Sequence, residues 1–312
     1  MDRDLQIVGL GLATLDVLIR LRDMPTWEQG VPIESFRFDG GGLVGTAIVA
    51  AAKLGARTGF IGTAGGNDAA DLKMRSMVEA GVDLRHLVRR PGLEDQVMLV
   101  AVHADTGERT FSSLRGMRDH PLRVEELDRD YIVSADTLHL DGFHAEAALQ
   151  AAKWMKEAGG TVVLDGSTAR GSVRAHLVAL LPFVDVLITG VGFAEALTGV
   201  SDIWRAGAGV LERGPTIFVE TRGSEGCYTV TADQRFHTPT FEVDVVDTTG
   251  AGDVFHGAYI VGLLQGWDLR TVARFASAVS AIKCTQLGGR VGIPTFEETV
   301  AFLGDRGISI EE

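Results

Sequence analysis

The sequence predicts an α/β fold: three layers, with a mostly parallel central sheet between two helical layers, and a small separate β-sheet that serves as a lid, as a dimerisation surface, or as both. Three observations predict it. Strand-length apolar runs alternate with longer runs of helical period, the pattern of a parallel sheet covered on both faces. Two stretches, about 14–39 and 95–114, break that rhythm with partial period-two alternation and turn residues. The chain has 312 residues, 46% hydrophobic and 23% charged, which suits one large domain over 1–312 carrying such an appendage.

Taken in order, LQIVGLGLA reads as a buried strand over 5–12. GGLVGTAIVAAAKLGA reads as a helix and TGFIGTAG as a strand with its turn. DAADLKMRSMVEAGV is helical, with Gly81 as its stop. ADTLHLDG is a strand, AEAALQAAKWMKEAGG a helix and TVVLDGS a strand. VDVLITG and GPTIFVETRG are two more strands, and the last third reads as largely helical. Of the two interruptions, residues 16–39 are extended or irregular, and 95–114 read as two strands around the turn ADTGER. In an open sheet of this kind ligands bind outside the carboxyl ends of the strands. Asp16, the glycines at 40–42 and Asp253 all follow predicted strands or loops, so they can converge on one rim.

Composition narrows the function. Net charge is −13, from 42 acidic and 29 basic residues, with no basic tract. That gives no electrostatic case for nucleic acid or an anionic membrane, and an anionic substrate has to meet a locally positive pocket. Cys227 and Cys284 are far apart and form no metal pattern; they read as buried free thiols in a reducing compartment. The N-terminus lacks the basic start and cleavage pattern of a signal peptide, and no apolar run reaches membrane-spanning length. The expected location is the cytoplasm.

Several motifs are decoys. GGGLVG at 40–45 has the spacing of a dinucleotide fingerprint but follows an irregular segment, and GLGLAT at 9–14 fits only the first half. The chain has no P-loop and no G-x-S-x-G elbow. His139, His144 and His256 are scattered without zinc spacing, and His256, inside a helix, reads as packing.

The informative stretch is VVDTTGAGDVFHGA at 245–258. Apolar residues from Val254 onward predict a buried helix, so Gly250, Ala251 and Gly252 fall at its first turn. A helix start exposes unpaired N–H groups and partial positive charge, and small residues let an anion approach them. Asp253 then lies beside an anion site, which suits a base that deprotonates a hydroxyl attacking a phosphoryl group. The plainer alternative is a capped helix, with Thr248 or Thr249 as N-cap and Asp253 as dipole partner.

DTTGAGDVFHGA resembles the C-terminal signature of the PfkB, or ribokinase-like, carbohydrate kinases, and DGGGLVGTAIVAAAKLGA is similar to that family's N-terminal glycine motif. The likeness spans most of the chain and implies a ribokinase-like fold that transfers phosphoryl from ATP, bound with magnesium, to a sugar hydroxyl. Residue by residue, it implies Asp253 as base and Gly250, Ala251 and Gly252 as anion hole. It implies Asp16, Gly41 and Gly42 as sugar contacts, and Thr221, Gly223 and Gly226 as nucleotide contacts. Asp247 and Thr249 match positions near the potassium-type cation loop of some members. A homodimer through the lid is expected by the same analogy, supported by exposed sheet edges.

The chain also departs from the pattern. Gly45 stands where the family usually carries an asparagine for the sugar. The N-x-x-E motif falls on Gly190 and Phe193, with Glu195 nearby. The C-terminal stretch 274–294 looks most like the sulfofructose kinase branch, whose sulfonate needs a cation such as Arg20, Arg22, Arg37, Arg109 or Arg115. Against that branch, Val31 stands where it carries lysine. A nucleoside kinase of the same fold and a sugar- or nucleotide-sensing protein without catalysis are the rival readings.

Overall fold

The computed structural model describes residues 5–169 and 171–310. Eight strands form the main sheet in the order Arg235–Thr238, Cys227–Val230, Ile217–Thr221, Val186–Gly190, Thr161–Gly166, Thr137–Leu140, Ile7–Leu10, Thr58–Ile61. The last six run parallel, and the first two add an antiparallel edge. Alternate strand residues serve opposite faces. Ile7 and Val163 enter a core shared with the helices Leu43–Lys53, Ala251–Leu264 and Leu269–Lys283. Val8, Val162 and Leu164 enter a second core, under Ala145–Glu157 and Ile203–Leu211. Helices thus cover both faces, as the alternation of elements predicts.

The antiparallel edge was not legible from the pattern. The pattern predicts a largely helical last third, yet Cys227–Val230 and Arg235–Thr238 form a hairpin on that edge. Its strands have four residues each, too short to give a clear period. The helix Ala251–Leu264 is buried over Val254–Gly262, because it is apolar on every side and lies between neighbours. Gly257 allows this: a Cβ there would strike the Ala47 carbonyl oxygen. The glycine-motif helix Leu43–Lys53 therefore crosses close to the helix that carries Asp253.

A separate four-stranded sheet has the order Ser35–Gly41, Thr14–Leu21, Val97–His103, Arg109–Ser113. The segment read as extended or irregular thus contains two regular strands, paired from Thr14↔Gly41 to Arg20↔Ser35. One face buries Leu18, Val100 and Val102 together with Leu287. On the other, Phe36, Phe38 and Leu99 are exposed. The sheet also touches the C-terminal segment through polar contacts, Arg37 Nη1 to the Leu287 oxygen at 3.3 Å and Arg109 to the Thr248 hydroxyl.

Candidate active site

The start of the Ala251–Leu264 helix is built from main chain. Gly250 is the N-cap, at φ 74°, with no side-chain cap; neither Thr248 nor Thr249 caps the helix. A side chain at 250 would be strained in that left-handed conformation and would meet Gly289, whose oxygen lies 2.9 Å from the added Cβ position. Gly252 differs. It is exposed, and a Cβ there would meet nothing within 4 Å. The fold does not demand glycine at 252, but a side chain there would fill the space through which an anion reaches the first-turn amides.

Asp253 is half-buried in this first turn. Burial, joined by the charge of Asp16, pushes its carboxyl up to about 7, against the opposing pull of Arg290 and Lys283. Asp141 adds to the rise. Asp16, on the small sheet, is buried and accepts a 2.5 Å hydrogen bond from the Thr14 hydroxyl. Burial pushes it up to about 6, moderated by Thr14 and Arg290. Its carboxylate carbon lies 2.5 Å from where a Gly41 Cβ would stand, so glycine at 41 is what lets the two strands close around this carboxylate. Gly42, at φ 85°, precedes the Leu43–Lys53 helix as its N-cap. The structure thus brings Asp16, Gly41, Gly42 and Asp253 to one region from three separate segments.

Other carboxylates join them at the strand ends. Asp141 follows the Thr137–Leu140 strand and accepts the amides of Leu12 and Phe143, each at 2.8 Å. Asp165, near the end of Thr161–Gly166, is held well above the usual carboxylate range by burial and by the charges of Asp253 and Asp141. His256 Nε2 sits 3.8 Å from it, and burial drives this imidazole far down. The raised carboxyl and the lowered imidazole both disfavour an ion pair at this contact. The signal for both aspartates was an acid at the carboxyl end of a predicted strand, in HLDG and VLDG.

Arg290 is the largest feature that sequence reasoning missed. It is 2% exposed. Its guanidinium donates to the Ser76 hydroxyl at 2.9 Å, the Gly41 carbonyl at 2.5 Å and the Thr46 hydroxyl at 3.3 Å. Its backbone N–H donates to Asp39 at 3.0 Å. Burial lowers it to about 10, with Asp39 and Asp16 opposing, so it stays charged at neutral pH. It also gives Gly45 a physical reason: a Cβ at 45 would lie 2.5 Å from Arg290 Nη2. Where the resembled pattern has an asparagine, this chain leaves room for a guanidinium.

Thr221, Gly223 and Gly226 sit farther along the same rim. Thr221 ends the Ile217–Thr221 strand, pairs with Gly190 and donates to the Thr189 carbonyl at 3.2 Å. Gly223 and Gly226 flank a short turn at φ 55° and 90°, and a Gly226 Cβ would strike the Thr238 carbonyl. Gly190 is exposed and Phe193 is buried in the second core. Neither supplies a polar group. Glu195 accepts the Ser201 hydroxyl at 2.5 Å. Glu220 is 1% exposed and paired with Arg222 at 2.8 Å.

Asp247 and Thr249 occupy a closed turn. Asp247 is fully buried. One carboxylate oxygen accepts the Thr249 amide at 2.8 Å and the other the Gly288 amide at 2.9 Å. Its carbonyl accepts the Lys283 ammonium at 2.9 Å. Burial alone would raise Asp247, but the Lys283 charge and the amides outweigh it and hold the carboxyl below its usual range. These residues do not fit a bound monovalent cation: the carboxylate and carbonyl oxygens of Asp247 already accept from two amides and an ammonium.

A helix start with an open first turn, a half-buried carboxyl with a raised pKa and a second carboxylate on the small sheet suit a phosphotransferase acting on an alcohol. Comparison with known proteins carries this to a family. The pfkB family carbohydrate kinase pattern matches residues 6–295, and the chain belongs to that family. It is 30% identical over 302 residues to an ATP-dependent ribose-1-phosphate kinase of Halopiger xanaduensis, covering 96% of this chain and 99% of that one. It is 28% identical to a probable fructokinase-3 of Arabidopsis thaliana, covering 85% and 83%. Among solved structures, a putative ribokinase from Agrobacterium tumefaciens superposes with a TM-score of 0.86 at 26% identity, covering 97% of this chain and 98% of that one. The protein is therefore a sugar or nucleoside kinase with a ribokinase-like fold. Among the described residues, no helix is long and apolar enough to cross a membrane.

Proposed function

We propose that this protein transfers the γ-phosphoryl group of ATP to a hydroxyl of a sugar or sugar derivative, with Asp253 as the base. The observation that carries this reading is the placement of Asp253: a carboxyl pushed up to about 7, in the first turn of a helix whose Gly252 leaves the approach open. A base with a pKa near the working pH is the efficient choice for proton transfer. Asp253 takes the hydroxyl proton, and the oxygen attacks the γ-phosphorus in line. The first-turn amides beside Gly250, Ala251 and Gly252 hold the charge on the moving phosphoryl. Asp16, locked by Thr14 and packed on Gly41, accepts a second sugar hydroxyl, and Gly42 brings main chain against the sugar.

Thr221, Gly223 and Gly226, at the far end of the rim, take the nucleotide. Magnesium bound with ATP would offset phosphate charge; with Gly190 and Phe193 in place of N-x-x-E, this chain lacks that motif's side chains for its waters. The small sheet closes as a lid over the sugar, excluding water that would otherwise hydrolyse ATP. Its apolar outer face, Phe36, Phe38 and Leu99, fits a second copy of the chain; a purely monomeric species in sedimentation at micromolar concentration would remove that part.

The test is a screen of acceptors by ADP release, with ribose, ribose 1-phosphate, fructose, fructose phosphates, sulfofructose and nucleosides. Turnover confined to nucleosides would replace the sugar reading, and tight sugar binding without ADP release would favour a sensor.

A further inference from the structure

Lys283 closes the Leu269–Lys283 helix, yet its side chain is fully buried. Burying an ammonium is costly unless it is paired and hydrogen-bonded. It donates to the Asp247 carbonyl at 2.9 Å, and its charge lowers the carboxyl of the same residue. That carboxylate is held by two backbone amides, one from Thr249 and one from Gly288. The chain closes behind the lysine at Gly292, where a Cβ would lie 2.6 Å from the Lys283 carbonyl oxygen. The turn thus combines a carbonyl, a carboxylate and a buried lysine head, whose pKa burial lowers and the Asp247 charge holds up. Only Thr248 and Thr249 separate Asp247 from Gly250, and the Lys283 charge is felt at Asp253.

We propose that the Lys283 ammonium is a built-in replacement for a monovalent metal cation, fixing the Asp247–Thr249 turn and adding positive charge behind the anion site, so that this kinase needs no potassium. The proposal makes Lys283 a positioning residue and rests on the kinase reading only for its effect on turnover. Its structural half stands alone: the turn should be complete without added ions.

The experiment compares wild type and Lys283→Met in tetramethylammonium, potassium and ammonium chlorides at equal ionic strength, reading melting temperature and acceptor-dependent ADP release. Wild type should melt at the same temperature in all three salts, with equal turnover. The variant should melt lower and turn over about tenfold or more slowly in tetramethylammonium, the loss of a close charge, and regain part of both with ammonium or potassium. A wild type that melts higher or turns over several-fold faster in potassium would overturn the proposal. So would a variant that matches wild type in tetramethylammonium, or one that folds but is rescued by neither small cation. If the variant does not fold, the wild-type salt series still decides. If no acceptor gives turnover, the melting series tests the lysine while the kinase reading fails separately.

Discussion

The two ends of the proposed site are built differently. The phosphate end is main chain: a glycine-capped helix start, with Gly250 forced into a left-handed turn against Gly289 and Gly252 left open. The acceptor end is side chain: Asp16 and Asp39 from one strand pair, closed by Arg290 from a loop 251 residues after Asp39. Main-chain sites are written into a contiguous stretch and can be read there. Side-chain sites depend on tertiary meeting points, and their members look ordinary one at a time. The phosphate end should therefore respond to changes of shape, and the acceptor end to changes of charge.

The base apart, the largest effect of breaking this contrast is expected at Arg290. Arg290→Met leaves Asp39 and Asp16 buried without their cation and should cost about 3–5 kcal/mol of stability in urea unfolding. Adding Asp39→Asn should recover part of that loss; a purely additive double variant would show that the two residues do not share a network. At the phosphate end, Gly252→Val should lower turnover by about 10²–10³ with an unchanged melting temperature, because a Cβ there meets no protein atom. If the valine variant instead melted low with turnover intact, position 252 would be structural.

A smaller and more gradual effect is expected from pH. As the proposed base Asp253 has to be deprotonated, and its carboxyl is pushed up to about 7, so kcat/KM should rise about tenfold per unit of pH below that point and level off above it. Stability runs the opposite way. A carboxyl raised by folding stabilises the native state below its unfolded pKa and loses that contribution as pH climbs through the folded value. Wild type should therefore lose stability between its ordinary carboxylate range and about pH 7, with Asp16, raised to about 6, contributing in the same window. Asp253→Asn should melt higher than wild type at pH 8, and the difference should close in acid.

What the sequence disclosed follows the same division. The alternation of strands and helices marked the three layers, and the small-residue run before Val254 marked a helix start, while leaving open whether Thr248 or Thr249 capped it. The hairpin at Cys227–Val230 and Arg235–Thr238 was lost because four-residue strands carry too little pattern. Asp141 and Asp165 ended predicted strands, the one local sign that they face the rim. Arg290 and Lys283 gave no such sign: each is a basic residue in the C-terminal segment, and only packing shows that both are buried. Gly45 was visible as a departure, but its reason, the room it leaves for Arg290, is not contained in the residues around it.

The proposed chemistry turns on whether Asp253 takes the acceptor's proton. The direct measurement pairs acceptor-dependent ADP release by Asp253→Asn with calorimetric binding of ATP and the acceptor. Binding within about threefold of wild type, with turnover lower by about 10²–10⁴, is the outcome expected of a lost base. Binding preserved and turnover within a factor of about ten of wild type would contradict it.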